Sequence, residues 1–176
     1  MCNTAAADGI LGRRAGGWQA VLLLHGWPDD PSTFDHVLPA LVQAGFQTFA
    51  PWLRGFGPTR FLSDETMRSG QIVAMAQDVL DFAEAIGIDQ FAVIGHDWGA
   101  RIAYVLASLF PERVTRCVAI SVPWQPGPLK TPSFEQARAY WYQWFMATER
   151  GEEMVRRNGI EFARSMLEDV EPAGLV

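Results

Sequence analysis

Four short apolar runs, at residues 20–24, 46–50, 91–94 and 114–122, are separated by segments of helix length, and this alternation leaves few folds open to the chain. Strand, helix and strand in succession imply a parallel sheet flanked by helices. The clearest helix lies between the second and third runs. Ile72, Ala76, Val79, Leu80, Ala83 and Ile86 recur at three-and-four spacing opposite Gln77, Asp78, Asp81 and Glu84, and Gly87 supplies the stop. Residues 1–19 are glycine-rich and aperiodic and are expected to form a loose leader, with the core at 20–122. Beyond it Pro123, Pro126, Gly127, Pro128 and Pro132 interrupt regular structure, so residues 123–176 are expected to hold a linker and part of a helical cap. Helix should run over 133–148 and again to about residue 168.

Composition narrows the function classes. The 176 residues are 49% hydrophobic and 19% charged with a net charge of −6, which excludes disorder and collagen-like repeats. The longest nearly uncharged apolar stretch, residues 102–110, is far too short to cross a bilayer. The N-terminus also lacks the charged-then-apolar order of a signal peptide, so a cytoplasmic location without membrane contact is expected. Lys and Arg are scattered, leaving no basic stripe for nucleic acid. Cys2 and Cys117 offer neither a disulfide framework nor metal-ligand spacing. His36, expected on a helix face, has no carboxylate at ligand spacing, and the GFGPTR stretch lacks the lysine of a phosphate loop. Neither metal nor nucleotide is expected.

The sharpest local signal is Gly95, His96, Asp97, Trp98, Gly99, directly after the apolar strand FAVI and directly before a helix. A glycine, x, nucleophile, x, glycine pattern between strand and helix makes an elbow that presents its central side chain above the sheet. Here that residue is Asp97. A carboxylate is already ionised at neutral pH, so it can attack an electrophilic sp3 carbon and form an alkyl-enzyme ester. The competing expectation is that Asp97 only caps the following helix. A second signal, His25, Gly26, Trp27, Pro28, closes the first strand. In a doubly wound sheet the strands ending at Leu24 and Ile94 would be neighbours at the topological switch point, bringing loop and elbow face to face. The backbone N–H groups of Trp27 and Trp98 could then hold the oxyanion formed when water attacks the ester. His25 is expected to be a structural hydrogen-bonding residue, and His96 to leave its strand on the face opposite Asp97.

HGWP at residues 25–28, LRGFG at 53–57 and GHDWG at 95–99 together resemble the α/β-hydrolase superfamily, in the branch of epoxide hydrolases and aspartate-type dehalogenases. The resemblance covers about residues 20–122 well and the start of the lid more weakly. It implies a partial α/β-hydrolase fold, a small apolar electrophilic substrate (epoxide or organohalide) and no cofactor. It also implies a lid tyrosine that donates to the epoxide oxygen, for which Tyr142 in Trp141, Tyr142, Gln143, Trp144, Phe145 is the candidate. The alternative for Tyr142 is simple packing in an aromatic lid core. Dehalogenases would use Trp98 to bind the leaving halide. Arg54 in LRGFG, just past a strand end, is expected to be an exposed loop residue, the alternative being that it shapes the rim of the pocket. One departure from the family matters most: none of the three histidines follows Asp97, where the water-activating base belongs. Turnover is therefore expected to be impaired, with alkylation of Asp97 retained; an inert fragment is the other outcome. The strands at 46–50 and 114–122 would become the two open sheet edges, so self-association is expected.

Overall fold

The computed structural model describes residues 2–3, 19–125 and 131–170, with side chains over 19–125 and 131–166. The chain divides into two compact units, Met1–Trp124 and Gln125–Val176. The first holds β1 (Cys2–Asn3), β2 (Ala20–Leu24), a 3-10 turn (Pro31–Phe34), α1 (Leu38–Gln43), β3 (Gln47–Phe49), β4 (Arg60–Phe61), α2 (Ile72–Ala85), β5 (Phe91–His96), α3 (Trp98–Leu109) and β6 (Val114–Ile120). β3, β2, β5 and β6 form one parallel sheet in that spatial order. The order reverses between β2 and β5, whose register sets Leu24 opposite Gly95. The expected switch point therefore lies at the ends of these two strands. β1 and β4 pair antiparallel, with Cys2 opposite Phe61. That pairing falls within the segment expected to be a loose leader, of which residues 4–18 lie outside the described residues.

β2 is buried along its whole length because both its faces are covered. Leu22 and Leu24 pack with Ala76, Val79 and Leu80 of α2 and Ile102 and Leu106 of α3. Val21 and Leu23 meet Phe34 and Ala92 on the other face. Each fully buried leucine contributes about 2 kcal/mol, so the centre of the sheet is its most strongly held part.

Two expectations need correction in this unit. The apolar run at 114–122 suggests a buried strand, yet β6 is mostly exposed, with Val118 at 49% and Ile120 at 44%. Among the described residues no strand pairs with its outer edge. Cys117 is exposed there as well. His36 lies in the turn before α1 rather than on a helix, because Pro39 belongs in the first helical turn and sets the start at Leu38.

In the second unit the expected helix over 133–148 is two helices, α4 (Phe134–Ala139) and α5 (Trp141–Met146), broken at Tyr140 with φ −102 and ψ 27. Ser133 accepts the Gln136 N–H at 3.1 Å and caps α4. Tyr140, Trp141 and Tyr142 in succession each lose χ1 freedom in a helix, which weakens it at this point. α6 (Glu149–Val170) is interrupted at Asn158, with φ −131 and ψ 38.

Candidate active site

A single residue, Asp97, turns the chain from β5 into α3, at φ 50 and ψ −110. Its backbone is held on both sides: its N–H donates to Ile120 O at 3.2 Å, and its carbonyl accepts from Ala100 and Arg101 at 3.0 and 3.2 Å. A non-glycine residue at such a φ costs about 1–3 kcal/mol and persists only where its surroundings impose it. The side chain makes no bond to its own helix. The helix-cap expectation for Asp97 is thereby overturned. Its Oδ2 instead accepts the Trp27 N–H at 3.0 Å, joining the elbow to the loop that closes β2.

Two glycines allow this approach. A Cβ on Gly99 would stand 1.8 Å from Leu24 O, so the first turn of α3 lies directly against the β2 backbone. The Gly99 N–H accordingly donates to His25 O at 3.1 Å. A Cβ on Gly26 would stand 2.5 Å from Asp97 Cβ and 2.9 Å from its Oδ2, so only glycine leaves the carboxylate its place. Sequence reasoning left Gly26 out of the site; its signal was a glycine between a strand-ending histidine and a loop tryptophan.

Trp98 is the first residue of α3, so its N–H has no acceptor within the helix. It follows Asp97 directly, and its ring packs against the main core cluster.

His25 is fully buried. The Leu53 N–H donates to its Nε2 at 3.1 Å, and its Nδ1 lies 2.9 Å from Gly26 O. An amide can only donate, so Nε2 is the bare nitrogen and Nδ1 carries the proton toward the carbonyl. Burial holds its pKa below the usual 6.5 and keeps the ring neutral. Phe56 stands edge-on to this ring at 4.9 Å. The buried Nδ1 of His96 makes no hydrogen bond; it lies 3.8 Å from Asp29 Oδ2.

Arg54, expected to be exposed, is not. Its Nε and Nη2 grip the Asp78 carboxylate at 2.5 and 2.7 Å, and Nη2 also reaches Ala74 O at 2.8 Å. A helix-borne carboxylate 24 residues away draws it down, a partner that local sequence does not display.

Tyr142 belongs to the second unit. It is half-buried on α5, with its ring edge-on to Tyr140 at 6.3 Å. Trp141 and Phe145 share another face of α5 and pack on the buried Phe162 at 6.4 and 6.3 Å. Trp141 and Phe145 thus form an aromatic core with Phe162, and Tyr142 packs with Tyr140. Among the described residues no group of three or more His, Cys, Asp or Glu side chains stands close enough to hold a metal ion. No described helix is long and apolar enough to cross a membrane.

The parallel sheet with helices on both faces and a sharp strand-to-helix elbow define the class of fold, a doubly wound α/β protein of hydrolase type. The family model described as alpha/beta hydrolase fold matches residues 19–172, and the chain belongs to that family. Epoxide hydrolase B of Mycobacterium tuberculosis is 38% identical over 103 residues, covering 58% of this chain and 28% of that protein. Bifunctional epoxide hydrolase 2 of Sus scrofa is 31% identical over 111 residues, covering 63% of this chain and 20% of that one. A crystal structure from Klebsiella pneumoniae, provisionally described as an epoxide hydrolase, superposes with a TM-score of 0.83 at 39% identity. It is matched over 94% of this chain and 55% of its own. The chain thus spans well under two thirds of the length of these relatives.

Proposed function

We propose that the chain carries out epoxide-hydrolase chemistry by way of an alkyl ester on Asp97. The observation that carries this is the Asp97 carboxylate, free of its own helix and bonded instead to the Trp27 N–H. The relatives named as epoxide hydrolases support the substrate class.

In the first step a carboxylate oxygen attacks one ring carbon of a small apolar epoxide. The carbon–oxygen bond of the ring breaks, its electron pair stays on oxygen, and that oxygen takes the Tyr142 phenol proton. The product is a 2-hydroxyalkyl ester. A phenol suits this role because an alkoxide is more basic than a phenolate. In the second step water attacks the ester carbonyl, the Trp27 and Trp98 N–H groups hold the negative oxygen, and collapse releases a diol and the Asp97 carboxylate, one water proton going to the departing alkoxide and the other restoring the Tyr142 phenol. Each such donor is worth about 3 kcal/mol. None of the three histidines among these 176 residues follows Asp97, and for the chain of these residues the ester is expected to persist. A missing base removes roughly 100- to 10,000-fold in rate. Residues 123–176 are assigned as linker and partial cap, the part that carries Tyr142.

Intact-mass measurement after incubation with a reactive terminal epoxide tests the scheme. One persistent adduct is expected, mapped to Asp97 and missing in Asp97→Asn. Tyr142→Phe should slow its formation roughly 100-fold. No adduct in the wild-type chain, or an adduct that survives in Asp97→Asn, overturns the scheme. Halide release from a haloalkane with no epoxide adduct moves the chemistry to dehalogenation on the same residue.

A further inference from the structure

We propose that Arg54 and Asp78 are positioning residues for the Trp27 amide, acting through Leu53 and His25; the catalytic half of this inference rests on the function proposed above. The argument begins with one peptide group. Gly26 O and the Trp27 N–H belong to the same planar trans unit, in which carbonyl and N–H point in opposite directions. The His25 Nδ1–H holds the oxygen end at 2.9 Å, and Asp97 Oδ2 receives the N–H end at 3.0 Å. Whatever fixes the His25 ring therefore fixes the direction of the donor, and a bond to the oxygen end also strengthens the N–H as a donor.

The ring is fixed from its far side. The Leu53 N–H at Nε2 and the Gly26 carbonyl at Nδ1 together keep the proton on Nδ1. Were that amide withdrawn, the proton could move to Nε2, leaving two bare acceptors, Nδ1 and Gly26 O, facing each other. Leu53 is buried, at 5% exposure. Its neighbour Arg54 ties the loop to α2 through the two-pronged bond to Asp78 and a third to Ala74 O. The two side chains are 16% and 22% exposed. Such a fork sets direction as well as distance, which a lysine cannot reproduce. Phe56, two residues on from Arg54, braces the same imidazole edge-on. Asp78 on α2, Arg54, Leu53, His25 and the Gly26–Trp27 peptide form one continuous relay ending on Asp97.

Three readouts on the full chain test it: the His25 tautomer by long-range nitrogen–proton NMR, amide exchange at Trp27, and the rate of ester formation with a terminal epoxide. In Arg54→Ala the imidazole should become a mixture of tautomers and Trp27 exchange should accelerate about tenfold. Ester formation should fall between about 10- and 100-fold, the scale of a misplaced reacting group. Val93 in the middle of β5 should exchange as in the wild-type chain, and Arg54→Lys should recover only part of the loss. Asp78→Asn serves the same purpose if Arg54→Ala does not fold. An unchanged tautomer and unchanged Trp27 exchange overturn the inference. Equal acceleration at Val93 and Trp27 overturns it too, because the pair would then hold the whole fold and not this peptide. If the wild-type chain forms no ester, the proposed chemistry fails while tautomer and exchange still decide the positioning.

Discussion

Asp97 and His25 divide the work at the level of single side chains: one is presented, the other sets the backbone that meets it. His25 also gives the protein a pH signature. Its folded pKa is lowered by burial from 6.5, so below that value the unfolded chain binds a proton that the folded chain refuses. Where the unfolded state binds more protons, stability rises with pH. The His25 contribution is therefore complete above about pH 6.5 and is lost as pH falls from there toward the lower folded value. One proton limits the slope to about 1.4 kcal/mol per pH unit. Urea midpoints at pH 7.5 and 5.5 should show this loss, and His25→Asn should reduce it, since asparagine cannot take up the proton. The presence of a carboxylate in the elbow was legible from its flanking glycines. The role of Arg54 was not, because its partner Asp78 sits on another element and only the folded chain brings them together.

At the level of elements, the packing of α3 against the end of β2 is what brings elbow and loop into register. Gly99→Ala would place a methyl group 1.8 Å from Leu24 O, a clash with backbone that no rotamer relieves. Helix and strand must separate, weakening the Gly99 N–H bond to His25 O. A loss of about 2–3 kcal/mol in chemical denaturation is expected, typical of overpacking, with slower ester formation. Gly70→Ala, with nothing within 4 Å of the new methyl group, is the neutral control. α2 was readable because its buried face, Met75, Ala76, Val79, Leu80 and Ala83, follows the helical period. The break at Tyr140 and the exposure of β6 were not. The first turns on crowding among successive aromatic residues. The second depends on what pairs alongside a strand, and an apolar run does not encode that.

For the chain as a whole, the β6 edge, open among the described residues, is a surface available to other chains. It carries Val118 and Ile120 to the surface beside a row of backbone groups that no strand among the described residues pairs. Self-association through this edge is expected in sedimentation at micromolar concentration, and Val118→Lys should shift the chain toward monomer, since an edge lysine opposes strand pairing. A well-behaved wild-type monomer would count against it. The meeting of loop and elbow was foreseeable from strand order alone, because a switch point forces it. Its cost in chain entropy was not. The amide of Trp27 and the carboxylate of Asp97 are 70 positions apart, and bringing such distant points together rewards the chain only once β2 and β5 have zipped. On the chemistry proposed above, reactivity toward an electrophile should therefore be an all-or-none property. Along a denaturant series it should vanish with the innermost strands and outlast the fraying of the periphery, making the chemistry itself a gauge of whether the heart of the protein is assembled.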